Sequence, residues 1–224
     1  MKLILWNVYK GFADGTDKGM LPNPDRELKI CSWIAKQQPD VVALLELNGH
    51  NQRQLSVLSE RWGHNHYQIV QGQFPLALTS ATTLNRPAWN TQELTHGFLS
   101  VEIKGTRFVL CHIPPVGEHS TASKRASELR AVLKHIIPYL DSNTPMMLLG
   151  DLNGDHDDRF VQGLMAVGLH DQLVSDPARK DYALCNDSLL DRCSMQWIRS
   201  AALQKLSDHF PLVVEISPLK NPRS

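Results

Sequence analysis

The chain has 224 residues, with 23 lysines and arginines against 23 aspartates and glutamates, so its formal net charge is zero. That balance argues against a strongly basic binder that grips nucleic acid by charge alone, although a local patch can still hold a few phosphates. With 42% hydrophobic residues there is apolar mass for a substantial core, and no apolar stretch approaches membrane-spanning length. The four cysteines show no C-x-x-C pair and no zinc-ligand spacing, although Cys185 and Cys193 are close enough in sequence for a disulfide. Met1 leads directly into an apolar run with no leader pattern, so an intracellular, cytoplasmic protein with reduced thiols is the expectation.

In chain order, the run Lys2-Leu3-Ile4-Leu5-Trp6-Asn7 reads as a strand ending in an amide. A polar loop over 11–24 leads to a helix with Leu28, Cys31 and Ile34 at helical spacing. The next strand, Val41-Val42-Ala43-Leu44-Leu45, ends in Glu46, an acid that would be costly to bury without a partner. A short helix carries Leu55, Leu58 and Trp62, and strands follow over 67–70, 76–80, 98–103 and 106–112, the last ending in His112. The longest helix spans 121–140, with an apolar stripe of Ala126, Leu129, Leu133, Ile136, Ile137 and Leu140. Its Lys124, Arg125, Arg130 and Lys134 read as a solvated face.

A strand from Met146 then stops in Gly150-Asp151-Leu152-Asn153-Gly154. Asp157 and Asp158 suit the N-terminus of a helix over 160–167. Strands are expected near Ala183 and Asp191, and a last one over 212–216 follows Ser207-Asp208-His209-Phe210-Pro211, where Pro211 holds Phe210 extended. No repeat or low-complexity linker interrupts the pattern, which reads as one domain over 1–217 with a tail over 218–224.

Five strand ends thus carry Asn7, Glu46, His112, Asp151 with Asn153, and Asp208 with His209. A strand ending in Asp, Gly and Asn is, taken singly, more often a turn or a helix cap. If the five converge, they make a site for a hard cation with general acid and base groups around it.

The ordered set LWN, LLELN, LCHIPP, LLGDLN and SDHFPL resembles the endonuclease/exonuclease/phosphatase superfamily over essentially the whole chain. The resemblance implies a deoxyribonuclease I-like α/β (α+β) fold: a four-layer α/β/β/α sandwich of two packed, mostly antiparallel sheets flanked by helices. It implies Mg²⁺ or Mn²⁺ held by Glu46 with Asn7 and Asp208 nearby, Asp151 orienting water, Asn153 holding the scissile phosphate, and His112 and His209 handling protons. The segment Leu190-Asp191-Arg192 looks like one in which the Asp pairs with the first imidazole, so Asp191 is expected behind His112, raising its pKa and fixing its tautomer.

The expected activity is hydrolysis of phosphodiester bonds in nucleic acid by in-line attack of water, with no membrane and no obligate protein partner. A phosphatase or phosphodiesterase on a small or lipid phosphate is the alternative, favoured by the neutral charge and by Glu46-Leu47-Asn48-Gly49, which lacks the arginine that follows the metal acid in many family nucleases. His96 could stand in for a missing basic residue before the strand of His112. A catalytically silent binding protein is a third reading.

Overall fold

Two six-stranded sheets stack face to face, each mostly antiparallel with one parallel pair at its centre. The computed structural model describes residues 1–16, 19–117, 120–173 and 179–218. The tail expected over 218–224 lies, beyond Pro218, outside the described residues. In chain order the elements are β1 (Lys2–Asn7), β2 (Ala13–Thr16), β3 (Gly19–Pro22), α1 (Pro24–Gln37), β4 (Val41–Leu45), α2 (Gln52–Glu60), β5 (His66–Val70), β6 (Leu76–Ser80), β7 (Asn85–Asn90), β8 (Phe98–Ile103) and β9 (Thr106–His112). There follow α3 (Ala122–Asp141), β10 (Met146–Asp151), α4 (Arg159–Met165), β11 (His170–Asp171), β12 (Asp181–Cys185), β13 (Cys193–Trp197) and β14 (Leu212–Ile216).

The first sheet has the order β13-β14-β1-β4-β6-β5 and the second β11-β12-β10-β9-β8-β7; β2 and β3 form a separate small hairpin within the segment read as loop. Leu5, Ala43, Leu45, Leu110, Met147 and Leu149 fill the space between the sheets. Ile4, Trp6 and Val42 face outward beneath Ile30 and Ile34 of α1 and Leu55 of α2. On the other side Val109 and Leu148 lie beneath Val132 and Ile136 of α3 and Phe160 of α4. The central strands are therefore covered on both faces, which is why they read as continuous apolar runs rather than as alternating ones.

The topology puts one edge of the sandwich to use. Strands β1 and β4 run parallel, as do β9 and β10, so all four finish at the same end. Strands β12 and β14 are antiparallel to β10 and β1 and begin there.

Helix α3 departs from its expected stripe. Ile137 is 40% exposed, whereas Arg125 and Glu128 are buried. The Arg125 guanidinium donates to the carbonyls of Pro114 (2.6 Å) and Leu152 (3.1 Å) and pairs with Asp158 at 2.7 Å. Glu128 accepts from the backbone N–H and the hydroxyl of Thr95. These two charges are buried because each meets a fixed set of partners, and Arg125 does not belong to a solvated face. Asp158 also caps α4, accepting from Phe160 N–H. Edge strand β7, absent from the sequence reading, is polar and carries Pro87 beside an irregularity in its pairing with β8, a combination edge strands tolerate. All four thiols are free, and among the described residues no helix is long and apolar enough to cross a membrane.

Candidate active site

Asn7, at the end of β1, sits between two acids. Its amide Nδ2 donates to Glu46 Oε1 at 3.0 Å and to Asp151 Oδ2 at 3.2 Å, joining residues of the two sheets. Its Oδ1 accepts from the backbone N–H of Tyr9, and its carbonyl accepts from the hydroxyl of Ser207 at 2.7 Å. The amide is thus fixed from both ends, with its donor edge aimed at the carboxylates.

Glu46 and Asn153 both leave their strands with positive φ, 59° and 46°. That turn is uncommon for a residue with a side chain, and here it follows directly on a rigid buried strand. The backbone N–H of Lys10 donates to Glu46 Oε2 at 3.1 Å from a turn in which Tyr9, Lys10, Gly11 and Phe12 all have positive φ. A Cβ at Gly11 would lie 1.9 Å from the carbonyl oxygen of Asn48, so only glycine lets this turn press against the segment after Glu46.

Asp151 is 2% exposed in its side chain. Its Oδ1 accepts from Asn153 N–H at 2.9 Å, and burial pushes its carboxyl above the ordinary aspartate range despite the nearby His209 and that hydrogen bond. Gly150 makes the approach possible: a Cβ there would lie 1.9 Å from the Cys111 carbonyl oxygen on the parallel neighbour β9. Asn153 Nδ2 donates to the carbonyl of Ile113 at 3.0 Å and lies 3.4 Å from His112 Nε2.

The two imidazoles differ. His209 Nδ1 lies 2.5 Å from Asp181 Oδ2, and its Nε2 lies 3.8 Å from Asp151 Oδ2. Burial alone would lower its pKa, but Asp181, Asp151 and Asp208 outweigh burial and raise it to about 10, while burial lifts Asp181 to about 6. At neutral pH the pair is therefore an imidazolium on a carboxylate. His112 is pushed down to about 3 by burial, with the His209 charge adding to the effect. Its ring packs against Phe74 and His96, with centroids 5.5 and 4.5 Å away, and its Nε2 lies 3.7 Å from Asp151 and 4.0 Å from Glu46.

Asn7, Glu46, His112, Asp151, Asn153 and His209 are thus brought together; Asp191 is not. It is exposed and follows the helical turn 187–190. It lies at the end of β13 where Cys193 pairs with Ile216, whereas the site is at the other end, where Trp197 pairs with Leu212. Among the described residues no group hydrogen-bonds His112 Nδ1, which explains why this pKa falls instead of rising. The carboxylate behind an imidazole is Asp181, and the imidazole is His209. The sequence offered one cue to Asp181: it heads the buried run Asp181-Tyr182-Ala183-Leu184-Cys185, as Glu46 closes another. Asp208 is exposed and takes a 3.4 Å contact from the Ser207 hydroxyl. His64 is buried against Thr79 and the Pro39 carbonyl, away from this site.

Among the described residues two sets of side chains have ligand atoms within 4.8 Å of one another: Glu46, His112 and Asp151, and Asp151, Asp181 and His209. Asp208 belongs to neither. In the first set two carboxylates face each other over an amide, with the neutral His112 ring within 4.0 Å of both and the charged His209 ring 3.8 Å from Asp151. Two hard oxygen donors beside a neutral imidazole nitrogen suit a divalent cation, which would offset the proximity of the two acids.

The chain matches the model of the endonuclease/exonuclease/phosphatase family over residues 4–209, and it belongs to that family. No curated protein sequence matches it. Among solved structures it is similar to an AP endonuclease from Archaeoglobus fulgidus, with a TM-score of 0.74 and 16% identity over 96% of this chain and 99% of that one. It is similar also to a 3'-5' exonuclease from Neisseria meningitidis, with a TM-score of 0.72 and 17% identity over 97% and 100% of the two chains. A Neisseria 3' phosphatase bound to a product DNA hairpin has a TM-score of 0.73 and 17% identity, over 97% of this chain and 99% of that one. At these identities the likeness establishes the deoxyribonuclease I-like sandwich. Family and site together support a phosphoester hydrolase.

Proposed function

We propose that the protein is a divalent-metal-dependent phosphodiesterase that hydrolyses nucleic acid. The observation that carries this reading is the placing of Glu46 and Asp151 on the single amide of Asn7, with the charged His209 of the Asp181–His209 pair 3.8 Å from Asp151. Glu46, with Asp151 and His112 beside it, would hold Mg²⁺ or Mn²⁺, which when bound offsets the negative charge of a non-bridging phosphate oxygen.

The remaining work falls to the side chains. Asp151, oriented by the Asn7 amide and the Asn153 N–H, accepts a proton from the water that attacks phosphorus in line. The Asn153 amide can donate to a phosphate oxygen without repelling it. His209, protonated at neutral pH, stabilises the charge that develops on the phosphoryl group and delivers a proton to the leaving oxygen. Asp181 keeps the Nδ1 proton in place so that Nε2 faces the reaction. The pairing of a weak-acid imidazolium with a raised carboxylate divides acid from base within one pocket.

Nucleic acid is favoured because two similar folds are named for acting on it, or were solved bound to it. Free thiols fit a reducing, intracellular compartment. The second reading, a phosphatase or phosphodiesterase on a small or lipid phosphate, is favoured by the zero net charge and by the absence of an arginine directly after Glu46. A metal-supplemented screen of single-stranded DNA, duplex DNA, RNA, sphingomyelin and simple phosphodiesters separates them. Cleavage of a nucleic acid well above the rest supports the first reading, and turnover confined to lipid or small phosphates overturns it.

A further inference from the structure

Beside the Asp181–His209 pair, the cleft between the sheets opens into a pocket of about 320 Å³, within the range of small-ligand sites. Lys180 and Asp181 line it from the second sheet, and Trp197, Arg199, Asp208, His209 and Phe210 from the first. None of the chemistry assigned above uses Lys180, Trp197, Arg199 or Phe210. Trp197 and Phe210 are half-buried, while Lys180 and Arg199 are exposed. The Arg199 guanidinium lies 5.9 Å from the Phe210 ring centroid. The indole N–H of Trp197 has no acceptor among the described residues.

These are the parts that receive a nucleotide. An aromatic face accepts any base by stacking, a guanidinium plane does likewise, and exposed cations neutralise the adjoining phosphate. A lipid chain calls for continuous apolar wall, and this pocket instead alternates rings with charges. We propose that the Trp197 pocket holds the nucleotide next to the scissile phosphate, its base against Trp197 and its outer phosphate toward Arg199 and Lys180. The inference rests on the nuclease reading and deepens it: the enzyme selects phosphodiesters flanked by a base on one side.

The test uses single-stranded oligonucleotides in which one base at a time is removed on either side of the cleaved bond, read as kcat/KM with metal present. In the parent, loss of the base at one flanking position lowers kcat/KM by about 5- to 150-fold, the range spanned by one stacked base, mainly through KM. Trp197→Ala shrinks that ratio between intact and base-free substrate toward one. Because Trp197 packs against the inter-sheet core and its removal can cost folding, Trp197→Leu and the exposed Arg199→Gln are run beside it. Arg199→Gln is expected to weaken the salt dependence of kcat/KM by about one phosphate contact, a change of roughly 0.7 in the log–log slope. A parent indifferent to base removal overturns the pocket assignment alone, as do variants that slow intact and base-free substrates in equal proportion. A parent that hydrolyses other phosphoesters but no oligonucleotide overturns the nuclease reading and the pocket with it.

Discussion

His209 Nδ1 and Asp181 Oδ2 lie 2.5 Å apart, one residue preceding the last strand of the first sheet and the other opening a strand of the second. The pair ties the sheets together at the site and keeps the imidazole charged. Its folded pKa, about 10, lies above the ordinary histidine value of 6.5. The stability it contributes is therefore fully present below pH 6.5 and lost as pH rises through 10. In metal-free protein, NMR titration is expected to show His209 protonated well above neutrality, and Asp181→Asn to bring its midpoint down by more than one unit. The same variant should lower kcat by about 10²–10⁴, the usual worth of a positioned general acid. A His209 midpoint near 6.5 in the parent would contradict the pairing.

Asp151 sets stability against function. Its raised carboxyl pKa means that ionising it opposes folding: stability present below pH 3.8 is lost as pH climbs through the folded value. Asp151→Asn is therefore expected to raise urea resistance of the metal-free protein at pH 7 while abolishing hydrolysis. In the parent, a divalent cation at about 100 times its Kd should add about 2.7 kcal/mol, and the variant should gain much less. A variant less stable than the metal-free parent would be evidence against a carboxyl raised by burial.

The polar strand ends were legible in the sequence because rigid apolar strands stop abruptly at them: Trp6 before Asn7, Leu45 before Glu46, Cys111 before His112. Asp181 was not, because β12 runs antiparallel to β10 and presents its head, not its tail, to the site. The motif chosen in its place, Asp191-Arg192, falls at the far end of the sheet. The buried charges of α3 were illegible for a related reason. Periodicity assigns Arg125 and Glu128 to a face by residue type, and their partners, Leu152, Asp158 and Thr95, come from distant segments.

Gly150→Ala should be costly, since the added Cβ meets backbone, which cannot rotate away. A loss of about 1–3 kcal/mol is expected from overpacking, with a fall in kcat because Asp151 moves with the strand. A variant of parental stability and rate would show that β9 and β10 are less closely pressed.

Arg125→Met removes donors from the Pro114 and Leu152 carbonyls and leaves Asp158 without its cation. Breaking a fully buried pair costs about 3–5 kcal/mol; with Asp158 half-buried the loss is expected below that range, readable as a lower urea midpoint. Leu152 immediately precedes Asn153, so phosphate binding should weaken too, as a higher KM.

Glu46 and Asp151, with their neighbouring imidazoles, are proposed to make one cation-dependent phosphoester-hydrolysing site. Its most direct test is hydrolysis of the best substrate from the screen, measured before chelation, after chelation by EDTA, and after readdition of Mg²⁺ or Mn²⁺, for the parent and for Glu46→Gln. Activity should be lost on chelation and restored by metal in the parent, and absent throughout in Glu46→Gln. Undiminished turnover after chelation, or parental turnover by Glu46→Gln, would contradict it.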